Sequence, residues 1–208
     1  MGERIELFPL QMPLFPGGLL NLSVFEPRYL DLVQRCLKSG GPFGVVALIE
    51  GEEVRRRGPD AAFVPERFHR LGTLARIDEC ERPQPGLLKI RCTGTRRFTL
   101  DEFECLPHGL WVGEGQVLPE EAEVAVPPDL RIPAHTLQVL LSRFEQAVAT
   151  SDLPVQGPYR WNDCAWLANR WAELLPLPAA DKQRLLALDN PLLRLELVAD
   201  ELGRLPPN

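Results

Sequence analysis

Between Ile5 and Leu118 the apolar positions fall in short runs cut by Gly and Pro, whereas from Leu137 onward they recur at three- and four-residue intervals. The first texture is that of strands and the second that of amphipathic helices. Strands are predicted over residues 5–8, 43–49, 71–81, 87–92, 96–103 and 110–118. Arg82-Pro83-Gln84-Pro85-Gly86 lacks the donors to sustain a ladder, so its flanking runs should form an antiparallel hairpin, and Gly94-Thr95 should mark the next reversal. Consecutive antiparallel strands joined this way favour a meander that curls into a small barrel, because closure hides the edges.

One helix interrupts the strands. It should begin at Glu26-Pro27, where proline is tolerated in the first turn, and end at Gly40. Tyr29, Leu32, Val33, Cys36 and Leu37 lie on one stripe of it. Arg28, Asp31, Gln34, Arg35 and Lys38 lie on the other, so the helix should plug one barrel mouth while its charges stay wet. Past Pro127-Pro128, Leu137, Leu140, Leu141, Phe144 and Val148 define a second helix. Asn162 reads as the cap of a third, with Trp161 and Trp166 as its hydrophobic staple and Leu167, Trp171, Leu174 and Leu175 as its buried face. A short helix over 181–188 and a last one from Asn190-Pro191, burying Leu192, Leu195, Ala199 and Leu202, complete a helical bundle. Two domains follow, a β-rich one over residues 1–120 and a helical one over 121–208.

With 208 residues, 45% of them hydrophobic, the chain is long and apolar enough to bury a core without a metal or disulfide staple. The net charge of −6 argues against broad attraction to nucleic acid or an anionic membrane. Five dispersed cysteines with no Cys-x-x-Cys pair fit a reducing, cytoplasmic setting. No apolar run is long enough to span a bilayer, and the Pro-broken N-terminus is unlike a secretory leader.

Enzymatic motifs are missing. All but three of the 23 basic side chains are Arg, and none of Lys38, Lys89 and Lys182 follows a glycine, as a phosphate-binding loop requires. No GxSxG, HExxH or GxGxxG pattern occurs. Cys105 and His108 have ligand-like spacing but make half a zinc site, and no metal or cofactor is expected. Asp78, Glu79, Glu81, Asp101, Glu102 and Glu104 alternate along strands and read as solvated faces rather than paired acid and base. Arg55, Arg56 and Arg57 form the sharpest basic run, partly cancelled by Glu50, Glu52 and Glu53.

The order of motifs resembles the N-terminal, substrate-recognition domain of Lon-type ATP-dependent proteases. Leu7-Phe8-Pro9-Leu10, Leu14-Phe15-Pro16-Gly17-Gly18 and Leu22-Ser23-Val24-Phe25-Glu26-Pro27-Arg28-Tyr29 are similar to that family's opening signature. Leu71-Gly72-Thr73-Leu74-Ala75-Arg76-Ile77, and Leu87-Leu88-Lys89-Ile90 with Thr93-Gly94-Thr95-Arg96-Arg97-Phe98, follow in the family's order. The resemblance implies an α+β fold, mainly an antiparallel β pseudobarrel of the PUA-like, Lon N-terminal kind followed by a C-terminal helical bundle. It also implies a non-enzymatic, proteolysis-associated role in binding polypeptide segments or a separate protease. The ATPase and Ser-Lys peptidase modules of full Lon proteases are not found before Asn208, so catalytic residues do not carry over.

Residues 13–20 set Leu14, Phe15, Leu19 and Leu20 around a Pro-Gly-Gly turn that limits how much apolar surface the loop can bury, so part of it is a candidate peptide groove framed by Arg28 and Tyr29; the alternative is that the apolar side chains pack in the core under the turn, with Arg28 and Tyr29 forming a helix-cap pair and a core contact. Two alternatives stay open. One is RNA binding, since PUA-like barrels elsewhere contact RNA and Arg55 to Arg57, Arg67 and Arg70 offer cations. The other is a pocket lined by Trp161, Cys164 and Trp166. Nothing in the sequence bears on the oligomeric state.

Overall fold

The computed structural model describes residues 2–53, 66–149 and 153–204. The Arg55, Arg56 and Arg57 run lies outside them. The chain divides into two compact units, the first comprising the residues up to Pro16 with Leu20–Pro119, the second Gly17–Leu19 and the residues from Glu120 onward.

In the first unit, strands β1 (Glu3–Leu10), β2 (Leu19–Val24), β3 (Phe43–Glu50), β4 (Arg67–Gln84), β5 (Leu87–Cys105) and β6 (Trp111–Val117) join in one sheet of order β2-β5-β4-β3-β1-β6, and β5 also pairs with β6. That last pairing closes five strands into a ring and leaves β2 as an appended edge. The fold is therefore the expected α+β pseudobarrel, although not a clean barrel. Pairing is antiparallel for β3–β4, β4–β5, β5–β6 and β1–β6, and parallel for β1–β3, whose connection runs through β2 and helix α1 (Pro27–Ser39).

Two expectations for the strands need correction. Gly94-Thr95 is not a reversal, because β5 runs through it without a break. A Cβ at Gly94 would stand 2.2 Å from the carbonyl oxygen of Phe15, so the glycine is there to let two backbones touch. The hairpin ladder also persists to Gln84 opposite Leu87, past Pro83. The register of β3 on β4 ends at Ala75, so the missing proline donor falls on a stretch that β3 does not reach.

Helix α1 closes on Gly40 in the left-handed region, φ 71°, whose N–H donates to the Cys36 carbonyl. Tyr29, Leu32, Val33 and Cys36 pack into the core formed with Phe8, Leu10, Phe43, Val45, Leu88, Ile90 and Cys92. Leu37 departs from the expected stripe and is exposed, while Arg28, expected in water, is buried. A second core cluster gathers Ile5, Leu7, Val46, Phe68, Phe98, Leu100 and Trp111.

The second unit holds helices α2 (Arg131–Ala147), α3 (Cys164–Leu174), α4 (Ala179–Ala187) and α5 (Pro191–Arg204). The cap of α3 is Asp163, not Asn162, its carboxylate accepting from the Ala165 N–H at 3.0 Å. Trp161 does meet Trp166 edge-on at 5.2 Å. Helix α5 buries Arg194 and Val198 beside Leu195, while Leu192, Ala199 and Leu202 are only half-buried. Val148 ends α2 in an extended conformation and is exposed. Arg194 is fully buried among Asn169 Oδ1 at 2.7 Å, Glu121 Oε1 at 2.6 Å and the Leu188 carbonyl. Such a cation is tolerated inside only because its fork is met by carboxylate and carbonyl oxygens.

Candidate functional site

The segment proposed from sequence as a groove splits into three parts. Leu14 and Phe15 are buried, Phe15 with no exposed surface. The Leu14 carbonyl accepts from Thr73 Oγ1 at 2.6 Å, and the Phe15 carbonyl lies against Gly94, so the backbone here is inserted into the sheet rather than draped over it. Gly17–Leu19 belongs to the helical unit, where the Arg170 guanidinium donates to the Gly17 carbonyl. Leu19 and Leu20 are half-buried and open strand β2.

Arg28 and Tyr29 are buried as well. Arg28 Nη1 donates to the Gly109 carbonyl at 2.9 Å and lies 3.4 Å from Glu66 Oε1, and its Nε donates to Glu26 Oε2 at 3.1 Å. Glu66 Oε2 in turn accepts from the Trp111 indole at 3.1 Å. Tyr29 stacks on Phe8 with ring centres 3.9 Å apart, and the Arg28 guanidinium sits 4.4 Å from the centre of the Tyr29 ring. A buried arginine with two carboxylates and a carbonyl is a structural joint, tying the start of α1 to β6 and to the residues that precede β4.

Of the six residues, Leu19 and Leu20 alone retain accessible side chains, and both lie on the edge strand. Along β2, Leu20 and Leu22 pack partly on the core and Val24 is buried, while Asn21 and Ser23 alternate to the outside. Phe25 follows with 51% of its surface exposed. The six residues Leu-Leu-Asn-Leu-Ser-Val contain no charge and no proline. The stretch of β4 beyond Ala75 is of the opposite character. It carries Arg76, Asp78, Glu79, Glu81, Arg82 and Pro83, all exposed, with ion pairs from Arg76 to Asp78 at 2.9 Å and from Arg91 to Glu79 at 3.3 Å.

Three of the thiols are held protonated. Burial pushes the Cys92 thiol up to about 12 and the Cys36 thiol up to about 11, with Asp78 and Glu6 respectively adding to the effect. Burial also raises the Cys164 thiol, which faces the Ala125 carbonyl. A thiol held protonated is a poor nucleophile. Trp161, Trp166 and Tyr159 form an aromatic cluster, with the Tyr159 hydroxyl donating to Glu145 at 3.0 Å. Among the described residues no three His, Cys, Asp or Glu side chains stand together as a metal site, and no helix is long and apolar enough to cross a membrane. Arg67 pairs with Glu50 at 2.8 Å, and Arg70 donates to the carbonyls of Leu100 and Asp101. A shallow cleft of about 290 Å³ lies over Arg4, Phe103, Val112 and the carboxylates of Glu102, Glu104 and Glu114.

Comparison with known proteins agrees with this architecture. The chain is similar to a crystallised Lon N-terminal domain protein from Xanthomonas campestris, with 30% identity, a TM-score of 0.73, and 98% of this chain and 99% of that one covered. The N-terminal domain of a Mycobacterium avium complex Lon protease shares the fold at 17% identity, with a TM-score of 0.61. Lon proteases of Phenylobacterium zucineum and Brevibacillus choshinensis are each 26% identical over 97% and 95% of this chain, which spans about a quarter of their length, 24% and 25%. Protein cereblon of Xenopus tropicalis is 26% identical over 79% of this chain, which matches 33% of that protein. The family model of the ATP-dependent protease La (LON) substrate-binding domain matches residues 4–204, and the chain belongs to that family.

Proposed function

We propose that this protein binds polypeptide segments without acting on them, as a substrate receptor or as an adaptor to a separate protease. The observation that carries the reading is the match of residues 4–204 to a domain whose family description is substrate binding. The raised thiols and the absence of a glycine-lysine phosphate loop support a non-enzymatic role. The free cysteines suit a cytoplasmic protein. Of the residues singled out by sequence, Leu19 and Leu20 would meet the bound chain, while Leu14, Phe15, Arg28 and Tyr29 are buried and would act only through the fold they hold together. We also assign residues 1–120 and 121–208 to separate domains, with Gly17–Leu19 lent to the second.

The test is a titration of the protein against fluorescein-labelled, carboxymethylated α-lactalbumin, a permanently unfolded chain, followed by anisotropy. Saturable binding that changes by less than about threefold between about 0.05 and 0.5 M salt is expected of a largely apolar and backbone-mediated contact. An RNA-binding barrel would instead bind a single-stranded RNA with affinity falling by orders of magnitude over that range. Absence of saturable binding to the unfolded chain refutes the proposal.

A further inference from the structure

We infer that the outer edge of β2 is where the polypeptide is held, an extended segment of the bound chain being added to the sheet as a further strand. The inference rests on the polypeptide-binding reading above and gives it a site and a mode. An edge strand presents a row of unpaired N–H and C=O groups, a template for any extended chain, and proteins blunt such edges with charges, proline or cover. This sheet follows that rule at one edge and breaks it at the other. The β4 stretch beyond Ala75 is guarded by Arg76, Asp78, Glu79, Glu81, Arg82 and Pro83. Strand β2 ends the sheet order with six uncharged residues and no proline.

The side chains around that edge define the occupant. Leu20 and Leu22 pack on the core yet stay half-exposed, which is the condition of residues whose strand has a neighbour on one side only. Asn21 and Ser23 stand in solvent, and Phe25, next in their alternation, offers a half-exposed ring at the end of the strand. An added strand laid along β2 would pair its backbone with this edge, set one row of apolar side chains beside Leu20 and Leu22, and bring its end to Phe25. The strand supplies no counter-charge, so a charged segment gains nothing here. The fitting partner is an unfolded stretch of alternating apolar and small polar residues without proline.

The experiment uses the full chain and a fluorescein-labelled peptide, Gly-Ser-Leu-Gln-Val-Ser-Leu-Gln-Gly. Two further versions of the peptide are N-methylated at alternate amides, one in each register. Strand addition predicts saturable binding of the parent peptide and a difference of about tenfold or more between the two methylated peptides, since only one register points its N–H groups at β2. It also predicts loss of binding in the Asn21→Lys, Ser23→Lys double variant, whose positions are exposed, and unchanged binding in Glu81→Lys on the guarded edge. Equal affinity for both methylated peptides, or full binding by the double variant, overturns the inference while carboxymethylated α-lactalbumin still binds and the broader reading stands. A concentration-dependent dimer that the double variant abolishes, without peptide binding, gives the edge to a second copy of this chain and equally overturns it. If neither the peptide nor the unfolded protein binds, both readings fall together.

Discussion

Replacing Gly94 by Ala tests whether the barrel is built around a backbone-to-backbone contact. The added Cβ would stand 2.2 Å from the Phe15 carbonyl oxygen, about 1.2 Å inside ordinary contact, and 3.0 Å from Leu14 Cγ. Rotation of a side chain relieves the second clash but not the first, because the obstacle is main chain. That main chain is fixed on one side by the bond from Thr73 Oγ1 to the Leu14 carbonyl and on the other by a Phe15 ring sealed in the core. Forcing extra volume into such a place costs about 1–3 kcal/mol, and more where nothing can move. Against this, alanine restricts the unfolded chain and returns about 0.4–1 kcal/mol. A net loss of about 2 kcal/mol is expected, equivalent to about 4–8 °C in melting temperature for a chain of this size. Urea unfolding followed by far-ultraviolet circular dichroism, with calorimetry in parallel, measures it. Gly203→Ala serves as the control, since Gly203 has nothing within 4 Å of its Cβ position and should lose no stability. A Gly94→Ala midpoint equal to or above that of the unsubstituted protein refutes the close-contact reading and returns Gly94 to the role of a turn.

Two further outcomes follow from the buried charges and thiols. Arg194→Lys keeps the charge but cannot span Asn169, Glu121 and the Leu188 carbonyl from one ammonium, so a loss of about 2–3 kcal/mol in urea is expected, and Arg194→Met should lose about 3–5 kcal/mol by removing the buried cation that faces Glu121. Cys36 and Cys92 hold their protons in the folded state to about 11 and about 12, because burial disfavours the thiolate, whereas the unfolded thiols release theirs near 9.0. The folded state therefore binds more protons above pH 9. The stabilisation is complete below that pH and is lost as pH rises through 11 and 12, at up to about 1.4 kcal/mol per pH unit for each thiol. Cys92→Ala should flatten this alkaline slope, and an unchanged slope refutes the assignment.

Much of the fold was legible because it is written in short-range pattern. Strands β1, β3 and β6, the hairpin turn at Pro85-Gly86 and most of the stripe of α1 announce themselves by short apolar runs, helical spacing or punctuation, whereas the parallel pairing of β1 with β3 does not. What escaped depends on partners far along the chain. Helical spacing alone puts Arg28 in water, where arginine usually is, and it is buried because Glu66, 38 positions later, and Gly109, 81 positions later, come to meet it. Arg194 is buried for the same reason, its carboxylate being 73 positions away. Gly94 reads as a turn in the sequence, since a glycine in a strand-rich region signals either a reversal or a close approach and only the third dimension separates the two.

Of the proposed site, the sequence names Leu19 and Leu20 but not the strand that carries them. Apolar side chains in residues 13–20 drew attention to Leu14 and Phe15, and apolarity points to the core as readily as to a binding surface. Strand β2 itself went unpredicted, its six residues lying close behind a Pro-Gly-Gly turn that reads as loop. Yet recognition through a strand edge leaves little positive signature in side chains, because the binding groups are amides that every residue possesses. Its trace is what is missing. The β4 edge spells Arg-Ile-Asp-Glu-Cys-Glu-Arg-Pro, a sequence that repels a neighbouring strand, and β2 spells Leu-Leu-Asn-Leu-Ser-Val, one that does nothing to prevent it. An edge left unguarded would be a liability to aggregation in a protein that had no use for it. Set beside a guarded edge on the same sheet, it is the feature on which the proposed polypeptide site rests.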